Sequence, residues 1–307
     1  MKLLHSSHLY RIKIFFFVLF ISFSCNIEPN FISEEALLTK IQQEKRDSIA
    51  KQVKELNTRG TFARNDGDYK SALNLHFEAL TLAESAKDSM GLIYALNNIG
   101  TDLRRTYSNI EASSYHFLAL ELSSSNEKYL SHQAVAMNGL GNIFLALEKP
   151  EQARSYFMDG LEIAENEKNK LGVAINLANI AETYIMDNEI DSAFYYYNRS
   201  LLKNISINSK IGEALCKRSM GLIYLKKERK DRALQLLNEA YSIIENSKDA
   251  FHKLEIRTSL AETLINLESV SEAEPHVIEI IALSGDINSY DYQQKGYEMM
   301  AKLKETQ

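Results

Sequence analysis

The sequence predicts an all-α protein that is built as a solenoid of stacked helix–turn–helix units. The first observation is composition: glycine and proline are scarce, with 12 and 3 residues among 307, and tryptophan is absent, which favours helices over a fold with many turns. The second is a pattern of small residues that repeats six times, about every 40 residues. The third is the 45% of apolar residues, which is enough for the continuous core that stacked helix pairs bury.

The first 24 residues, 1–24, are predicted to be a signal peptide of the lipoprotein type. Three basic residues and no acidic one precede the run IFFFVLFISF (14–23), which is too short to span a bilayer and has the length of the apolar region of a signal peptide. Ser24 and Cys25 follow. This arrangement resembles a bacterial lipobox, and the resemblance implies that Cys25 becomes the acylated N-terminus. The alternative is an ordinary secretory signal that contains a cysteine.

Charge and cysteine content narrow the function classes. The whole chain has a net charge of −6, and cleavage before Cys25 would leave 32 basic against 41 acidic residues, which is −9. This balance argues against nucleic acid as a partner, because a nucleic-acid binder needs a basic surface. Cys216 would be the other cysteine of the mature chain, so no disulfide framework is expected. We expect a protein of the cell envelope that is lipid-anchored to a membrane and faces the periplasm, or else a secreted one. The membrane would be contacted only through the N-terminal lipid.

Three series of small residues stay in phase over the six units. The first series lies in the first helix of each unit, helix A, at Gly60, Gly100, Gly141, Ala181, Gly221 and Ala261. The other two series lie 12 and 19 residues later, in the second helix, helix B. Small residues let two helices approach closely while larger neighbours fill the surrounding space. Each unit is therefore predicted to be helix, short turn, helix, and the six units cover residues 48–285.

The flanking segments receive simpler predictions. Residues 25–47 are expected to form a linker or a helix. Residues 286–307 are expected to form one helix, either a cap or the A helix of a seventh unit that is cut short. Gly91, Gly172 and Gly212 each lie nine residues before the small residue of helix A, so they would close the preceding B helix or open the next A helix.

This pattern resembles the tetratricopeptide repeat. The small-residue series carry the resemblance, together with the aromatic residues Phe144, Tyr184 and Tyr224, three positions after the small residue of helix A. The units are about 40 residues long and the family's usual repeat has 34; this length is similar to the extended repeats of kinesin light chains and of bacterial Rap-type and sensor-kinase-associated proteins. The resemblance implies a right-handed superhelix whose concave groove is lined by the A helices.

Polar residues recur in register on the face of helix A that lines the groove in this family. Positions that differ by three or four share one face of a helix. The predicted groove residues on or beside this face are Asn57, Arg64, Asn97, Asn98, Thr101, Arg104, Arg105, Asn138, Asn142, Asn179 and Arg218.

These residue types suit a protein or peptide ligand, including an acidic or carboxylate-bearing one. An asparagine amide offers donors and an acceptor to a peptide backbone, and each such bond contributes about 1 kcal/mol net, so several are needed. Arginine binds a carboxylate through two parallel hydrogen bonds. We expect the site to be strongest over the first three repeats. The alternative is that the amides join neighbouring A helices and stabilise the stack, while the arginines form a solvated face.

No residue set for catalysis is found. A nucleophile elbow and the motifs HExxH, CxxC and P-loop do not occur, so we expect no enzyme activity and no cofactor. His76 and His116 occupy equivalent positions of helix B. They are interpreted as packing residues and no metal is expected, because the sequence places no carboxylate partner nearby. Cys216 is interpreted as buried and unreactive.

The resulting functional prediction is a non-enzymatic, groove-binding scaffold or adaptor for a protein or peptide. The alternative is the sensor module of a signalling system, as a shortened relative of histidine kinases or transcriptional regulators that carry such repeats.

Overall fold

The all-α prediction is confirmed by a computed structural model, which describes residues 33–106, 108–287 and 289–306. These residues form thirteen α-helices and one 3-10 helix, and the described ranges contain no strand. The predicted signal peptide and Cys25 lie outside the described residues. None of the described helices is long and apolar enough to cross a bilayer.

The chain divides into two compact units, residues 1–48 and 49–307. In the first unit the described residues are helical from Glu34 onward, and Leu37 and Ile41 are about half exposed. The second unit contains the helix pairs and the buried core, and the following paragraphs concern it.

The helices alternate as A and B helices of successive pairs. The A helices are α1 (Glu34–Asn65), α3 (Ser89–Arg105), α5 (Leu130–Ala146), α7 (Lys170–Met186), α9 (Lys210–Lys226) and α11 (Ala250–Asn266). The B helices are α2 (Tyr69–Ala86), α4 (Asn109–Ser123), α6 (Pro150–Asn166), α8 (Ile190–Ser206), α10 (Lys230–Ile244) and α12 (Val270–Asp286). The 3-10 helix (Glu127–Tyr129) precedes α5, and α13 (Tyr290–Thr306) follows α12. From α5 to α13 each A helix begins 40 residues after the previous one, so α13 continues the periodicity.

The small residues of helix A make room for a large side chain of helix B. A methyl group on Gly141 would lie 2.5 Å from a ring carbon of Phe157. Gly60 and Gly100 face His76 and His116 in the same way. The small residues 12 positions later in each repeat are fully buried: Ala72, Ala112, Ala153, Ala193, Ala233 and Ala273. Each series therefore marks a close contact between helices, as expected from the sequence.

Aromatic pairs tie helices together at the positions that carried the family resemblance. Phe144 stacks on Tyr156 with ring centroids 5.5 Å apart, and Tyr184 stacks on Tyr196 at 5.4 Å. Such pairs contribute about 0.5–1.5 kcal/mol beyond the burial of their area. Both pairs join helix A to helix B of one repeat.

The helix ends are set by local hydrogen bonds. The backbone N–H groups of Gly91 and Gly172 donate to the side chains of Asp88 and Asn169, which cap α3 and α7. These glycines therefore open A helices, which settles the alternative left by the sequence. At the turns from A to B, Glu148 and its counterparts 40, 80 and 120 residues later adopt the left-handed conformation that ends many helices.

Candidate functional site

A cavity of about 610 Å³ lies between the later repeats, and we call it the central cavity. Its wall contains six of the predicted groove residues: Arg104, Arg105, Asn138, Asn142, Asn179 and Arg218. Leu171 and Ile175 add apolar surface to the wall and are about half exposed. Ligand sites in proteins commonly have volumes of about 300–1,000 Å³, with apolar walls and a few polar groups. The central cavity has these properties.

Two guanidinium groups form the basic end of the central cavity. Arg104 is largely buried, and burial, followed by repulsion from Arg105 and Arg64, lowers its pKa to about 10. The guanidinium of Arg105 lies 4.3 Å from the ring centroid of Phe251, and its buried Nε has no hydrogen-bond partner. Within the described part of the chain, neither arginine is within 4.0 Å of a carboxylate oxygen, and Asp249 acts on Arg105 only electrostatically. This end of the cavity therefore carries positive charge without a direct ion pair.

An acidic cluster lies elsewhere on the same wall. Glu182 accepts a hydrogen bond from the hydroxyl of Tyr197, and burial raises the pKa of the Glu182 carboxyl. Glu255 pairs with Arg218 at 3.0 Å, and Arg218 also donates to the hydroxyl of Ser259 at 2.7 Å. Arg218 thus pairs directly with Glu255 and acts on Glu182 electrostatically, and neither glutamate is among the predicted groove residues.

The remaining predicted groove residues are placed differently, and their expected position must be corrected. Asn57, Asn97 and Asn98 are 0%, 2% and 6% exposed. The amide of Asn98 donates to the side-chain oxygen of Asn57 at 3.3 Å, and Arg64 donates to the side-chain oxygen of Asn98 at 3.2 Å. These bonds join α1 to α3, so the alternative of a stabilised stack applies to this group.

Asn97 and Thr101 belong to the same correction. The amide of Asn97 donates to the backbone carbonyl of His132 at 3.0 Å, and its oxygen lies 3.2 Å from Nδ1 of His116. The hydroxyl of Thr101 donates to the backbone carbonyl of Asn97 at 2.9 Å. The centre of the candidate site therefore moves from the first three repeats to repeats two to six.

His76 also differs from its sequence-based interpretation. Its Nδ1 lies 2.5 Å from a carboxylate oxygen of Asp102, and its Nε2 lies 3.2 Å from the carbonyl oxygen of Asn57. Arg64 donates to the other oxygen of Asp102 at 2.8 Å. A carboxylate does lie beside this histidine, contrary to expectation. Among the described residues, however, no group of three or more metal-binding side chains occurs.

Cys216 lies in the wall of the central cavity. It is 2% exposed and its thiol donates to the hydroxyl of Ser200 at 3.3 Å. Burial raises the pKa of this thiol, which keeps it protonated at neutral pH. The interpretation of a buried, unreactive cysteine agrees with this environment.

The comparisons with known proteins agree with the helical geometry. Residues 132–201 match the tetratricopeptide repeat family. The chain is built of tetratricopeptide repeats. No curated protein matches the sequence. Among solved structures, the chain is similar to an aspartyl phosphate phosphatase F from Bacillus subtilis, with 17% identity, a TM-score of 0.58, and coverage of 100% of this chain and 85% of the other.

Two further solved structures share the tetratricopeptide-repeat fold. The Rap conjugation gene regulator of plasmid pLS20, in complex with the Phr* peptide, has 10% identity and a TM-score of 0.61 over 92% of this chain and 82% of the other. The apo form of the quorum sensor NprR from B. thuringiensis has 16% identity and a TM-score of 0.58 over 80% and 68%. Similarity at these identities shows the fold.

The second and sixth tetratricopeptide repeats meet beside the central cavity. The guanidinium of Arg105, at the end of α3, lies over the ring of Phe251 at the start of α11. Arg105, Phe251 and His252 line the central cavity and also a small neighbouring pocket that includes Tyr69 and Asp249. Residues far apart in sequence therefore line the cavity together. The spacing of the repeats along the chain does not predict this contact.

Proposed function

We propose that the protein is a non-enzymatic scaffold or adaptor that binds a peptide, or a peptide segment of another protein, in the central cavity. The observation that carries this proposal is that Arg104 and Arg105, in a cavity of ligand size, have no carboxylate within 4.0 Å among the described residues. An acidic side chain or a terminal carboxylate would supply a direct partner through bidentate hydrogen bonds. The amide of Asn179 offers hydrogen bonds to a peptide backbone, whereas the amides of Asn138 and Asn142 already donate to Asn176 and to Asn138.

The similar structures support a peptide as the ligand class. One of them is a complex with the Phr* peptide and another is a quorum sensor. A third carries the name of an aspartyl phosphate phosphatase. Absence of catalysis is part of our proposal, and it rests on the lack of a recognisable catalytic motif in this sequence.

The binding function is tested by affinity capture from the envelope fraction of the producing cell. The full-length protein, the double variant Arg104→Gln/Asn142→Ala and the control Arg199→Gln serve as baits, and bound peptides and proteins are identified by mass spectrometry. Arg199 lies outside the cavity wall on α8 and its nearest carboxylate, Glu165, is 4.0 Å away, so the control removes the same charge from the surface. Circular dichroism must first show that the baits are equally folded.

The expected result is a peptide or protein that the wild type and the control retain and the double variant loses. Equal retention by all three baits would place binding outside the central cavity. Retention of nothing by any bait would contradict the adaptor function.

A sensor module is the second candidate function. The contact of Arg105 with Phe251 joins the second repeat to the sixth at the edge of the central cavity. A ligand that takes the guanidinium of Arg105 would remove it from Phe251 and so act on both repeats. Hydrogen exchange would separate the two functions, because a sensor would change protection along the whole of α3 and α11 upon binding, whereas an adaptor would change it only at the residues that line the cavity.

We infer from the sequence that a lipid on Cys25 anchors the protein at the cell envelope, with the repeats facing the periplasm. Growth with radiolabelled palmitate tests this inference. The wild type would be labelled and would fractionate with membranes, whereas Cys25→Ser would lose both properties. An unlabelled wild type in the soluble fraction would favour the secreted alternative.

A further inference from the structure

We propose that the central cavity selects a dipolar ligand, with an acidic group at Arg104 and Arg105 and a basic group at Glu182 and Glu255. This inference rests on the proposed peptide-binding function and adds a second, opposite charge to the ligand. The two arginines and the two glutamates line the same cavity, so one occupant meets both groups.

Neither arginine of the basic pole has a carboxylate oxygen within 4.0 Å among the described residues, and Asp249 acts on Arg105 only electrostatically. Arg104 and Arg105 are sequence neighbours at the end of α3, and the charges that act on Arg104 most strongly are the two arginines Arg105 and Arg64. Their repulsion makes an anion beside Arg104 favourable. A buried cation without a partner is unfavourable, and an acidic group of the ligand would remove this penalty.

At the acidic pole, no basic group of the described residues lies within 4.0 Å of the Glu182 carboxylate. Arg218 is already engaged by Glu255 at 3.0 Å and by the hydroxyl of Ser259 at 2.7 Å. Glu182 receives one hydrogen bond from Tyr197 and lies close enough to Glu255 for their charges to repel. Arg218 and Lys226 act on Glu182 only electrostatically. An ammonium or guanidinium group of the ligand would therefore find a carboxylate, Glu182, that is not in a direct ion pair.

The two poles do not neutralise each other. The charges that perturb Arg104 include no carboxylate, and those that perturb Glu182 do not include Arg104 or Arg105. Arg104 and Glu182 lie on the A helices of the second and fourth repeats, two steps of about 8–10 Å apart at the usual packing distance, and Glu255 lies on the A helix of the sixth repeat. An extended hexapeptide spans about 20 Å, so a short peptide can reach both poles.

A random hexapeptide library with acetylated and amidated ends is the probe, because all its charges then come from side chains. The folded full-length protein is incubated with the library, bound peptides are recovered by size exclusion, and their sequences are read by mass spectrometry. The expected result is about tenfold enrichment of peptides that carry an acidic residue near one end and a basic residue near the other, which corresponds to about 1.4 kcal/mol.

Two variants assign each charge to its pole. Arg104→Gln is expected to remove the enrichment for acidic residues and keep that for basic ones, whereas Glu182→Gln is expected to do the reverse. Arg199→Gln and Glu165→Gln, which change an exposed pair outside the cavity wall, should leave both enrichments intact. Circular dichroism confirms that all four variants are folded.

Each other outcome has a distinct meaning. A bound set without charge preference, or with acidic residues alone enriched, would overturn the dipolar ligand and leave peptide binding standing. Loss of both enrichments in only one of the two cavity variants would also overturn it, since the poles would not act separately. Recovery of no peptide from the wild type would contradict the proposed function itself.

Discussion

Replacing Arg104 by methionine should make the ligand-free protein more stable. Methionine keeps much of the aliphatic stem of arginine and removes the buried charge. The pKa of Arg104 is lowered to about 10, well below its ordinary value, and at about 1.4 kcal/mol for each pKa unit this corresponds to roughly 3 kcal/mol of unfavourable free energy in the folded state. A base with a lowered pKa opposes folding fully at any pH below the folded-state value, so the whole effect is present at pH 7.

Urea unfolding at pH 7, followed by circular dichroism, measures this effect. Lost contacts of the arginine stem reduce the gain, so we expect an increase of about 1–3 kcal/mol in the free energy of unfolding. With a slope of about 2 kcal/mol per molar urea, the midpoint would rise by about 0.5–1.5 M. Arg199→Met, which removes an exposed arginine, should change stability by less than about 0.5 kcal/mol.

A decrease in stability of Arg104→Met relative to this control would refute the reasoning. It would mean that the guanidinium has a compensating partner in the ligand-free protein. The argument for an anionic group in the ligand would then lose its main support.

Three further predictions concern buried side chains at the contacts between helices. Burial, and to a lesser degree Arg104, lowers the pKa of His116 to about 4. The contribution of this residue to stability is therefore present above pH 6.5 and is lost as the pH falls towards 4, by up to roughly 3 kcal/mol. His116→Phe should reduce the difference between the urea midpoints at pH 7 and pH 4.5, and an unchanged difference would mean that other groups cause the pH dependence. In thermal unfolding, Gly141→Ala should destabilise the protein by about 1–3 kcal/mol because the added methyl group would lie 2.5 Å from Phe157. The control Gly285→Ala should be neutral or stabilising, because the nearest neighbour of its methyl group would be 3.4 Å away. Asp102→Asn should destabilise by about 3–5 kcal/mol, since it leaves a buried network without its anion; a loss below about 1 kcal/mol would show that the network contributes little.

The fold was accessible from the sequence because each small residue marks a contact within one or two neighbouring helices. Gly141 is small because Phe157 occupies its place, and both residues belong to one repeat. Such local contacts repeat with the chain, so periodicity reveals them directly. The same argument explains why the aromatic pair of Tyr184 and Tyr196 falls at the expected position.

The site was accessible only in part, for two physical reasons. An asparagine side chain can join two A helices or can bind a ligand, and the sequence pattern is the same in both cases. Asn98 is buried and bonded to Asn57, whereas Asn142 lines the central cavity. The second reason is curvature, which brings Phe251 of the sixth repeat against Arg105 of the second. That contact depends on the small rotation between successive repeats, added over several repeats. The residue pattern of a single repeat does not predict the total rotation.

The two buried histidines show how one substitution changes the role of a repeated position. His76 and His116 are equivalent and both lie against a glycine of helix A. The residue that meets His76 from the next repeat is Asp102, whereas the equivalent position one repeat later is the buried Ile143. Each ring nitrogen of His76 therefore lies against an oxygen atom, one of a carboxylate and one of a backbone carbonyl.

His116 lacks such an anion, and burial lowers its pKa to about 4, which keeps the ring neutral at pH 7. Nitrogen-15 chemical shifts of the His116 ring between pH 7 and pH 4 measure this protonation directly. We expect one protonated nitrogen for His116 at pH 7, and a second proton only as the pH falls towards 4. Two protonated nitrogens in the His116 ring at pH 7 would contradict the argument that burial without a neighbouring anion keeps this ring neutral.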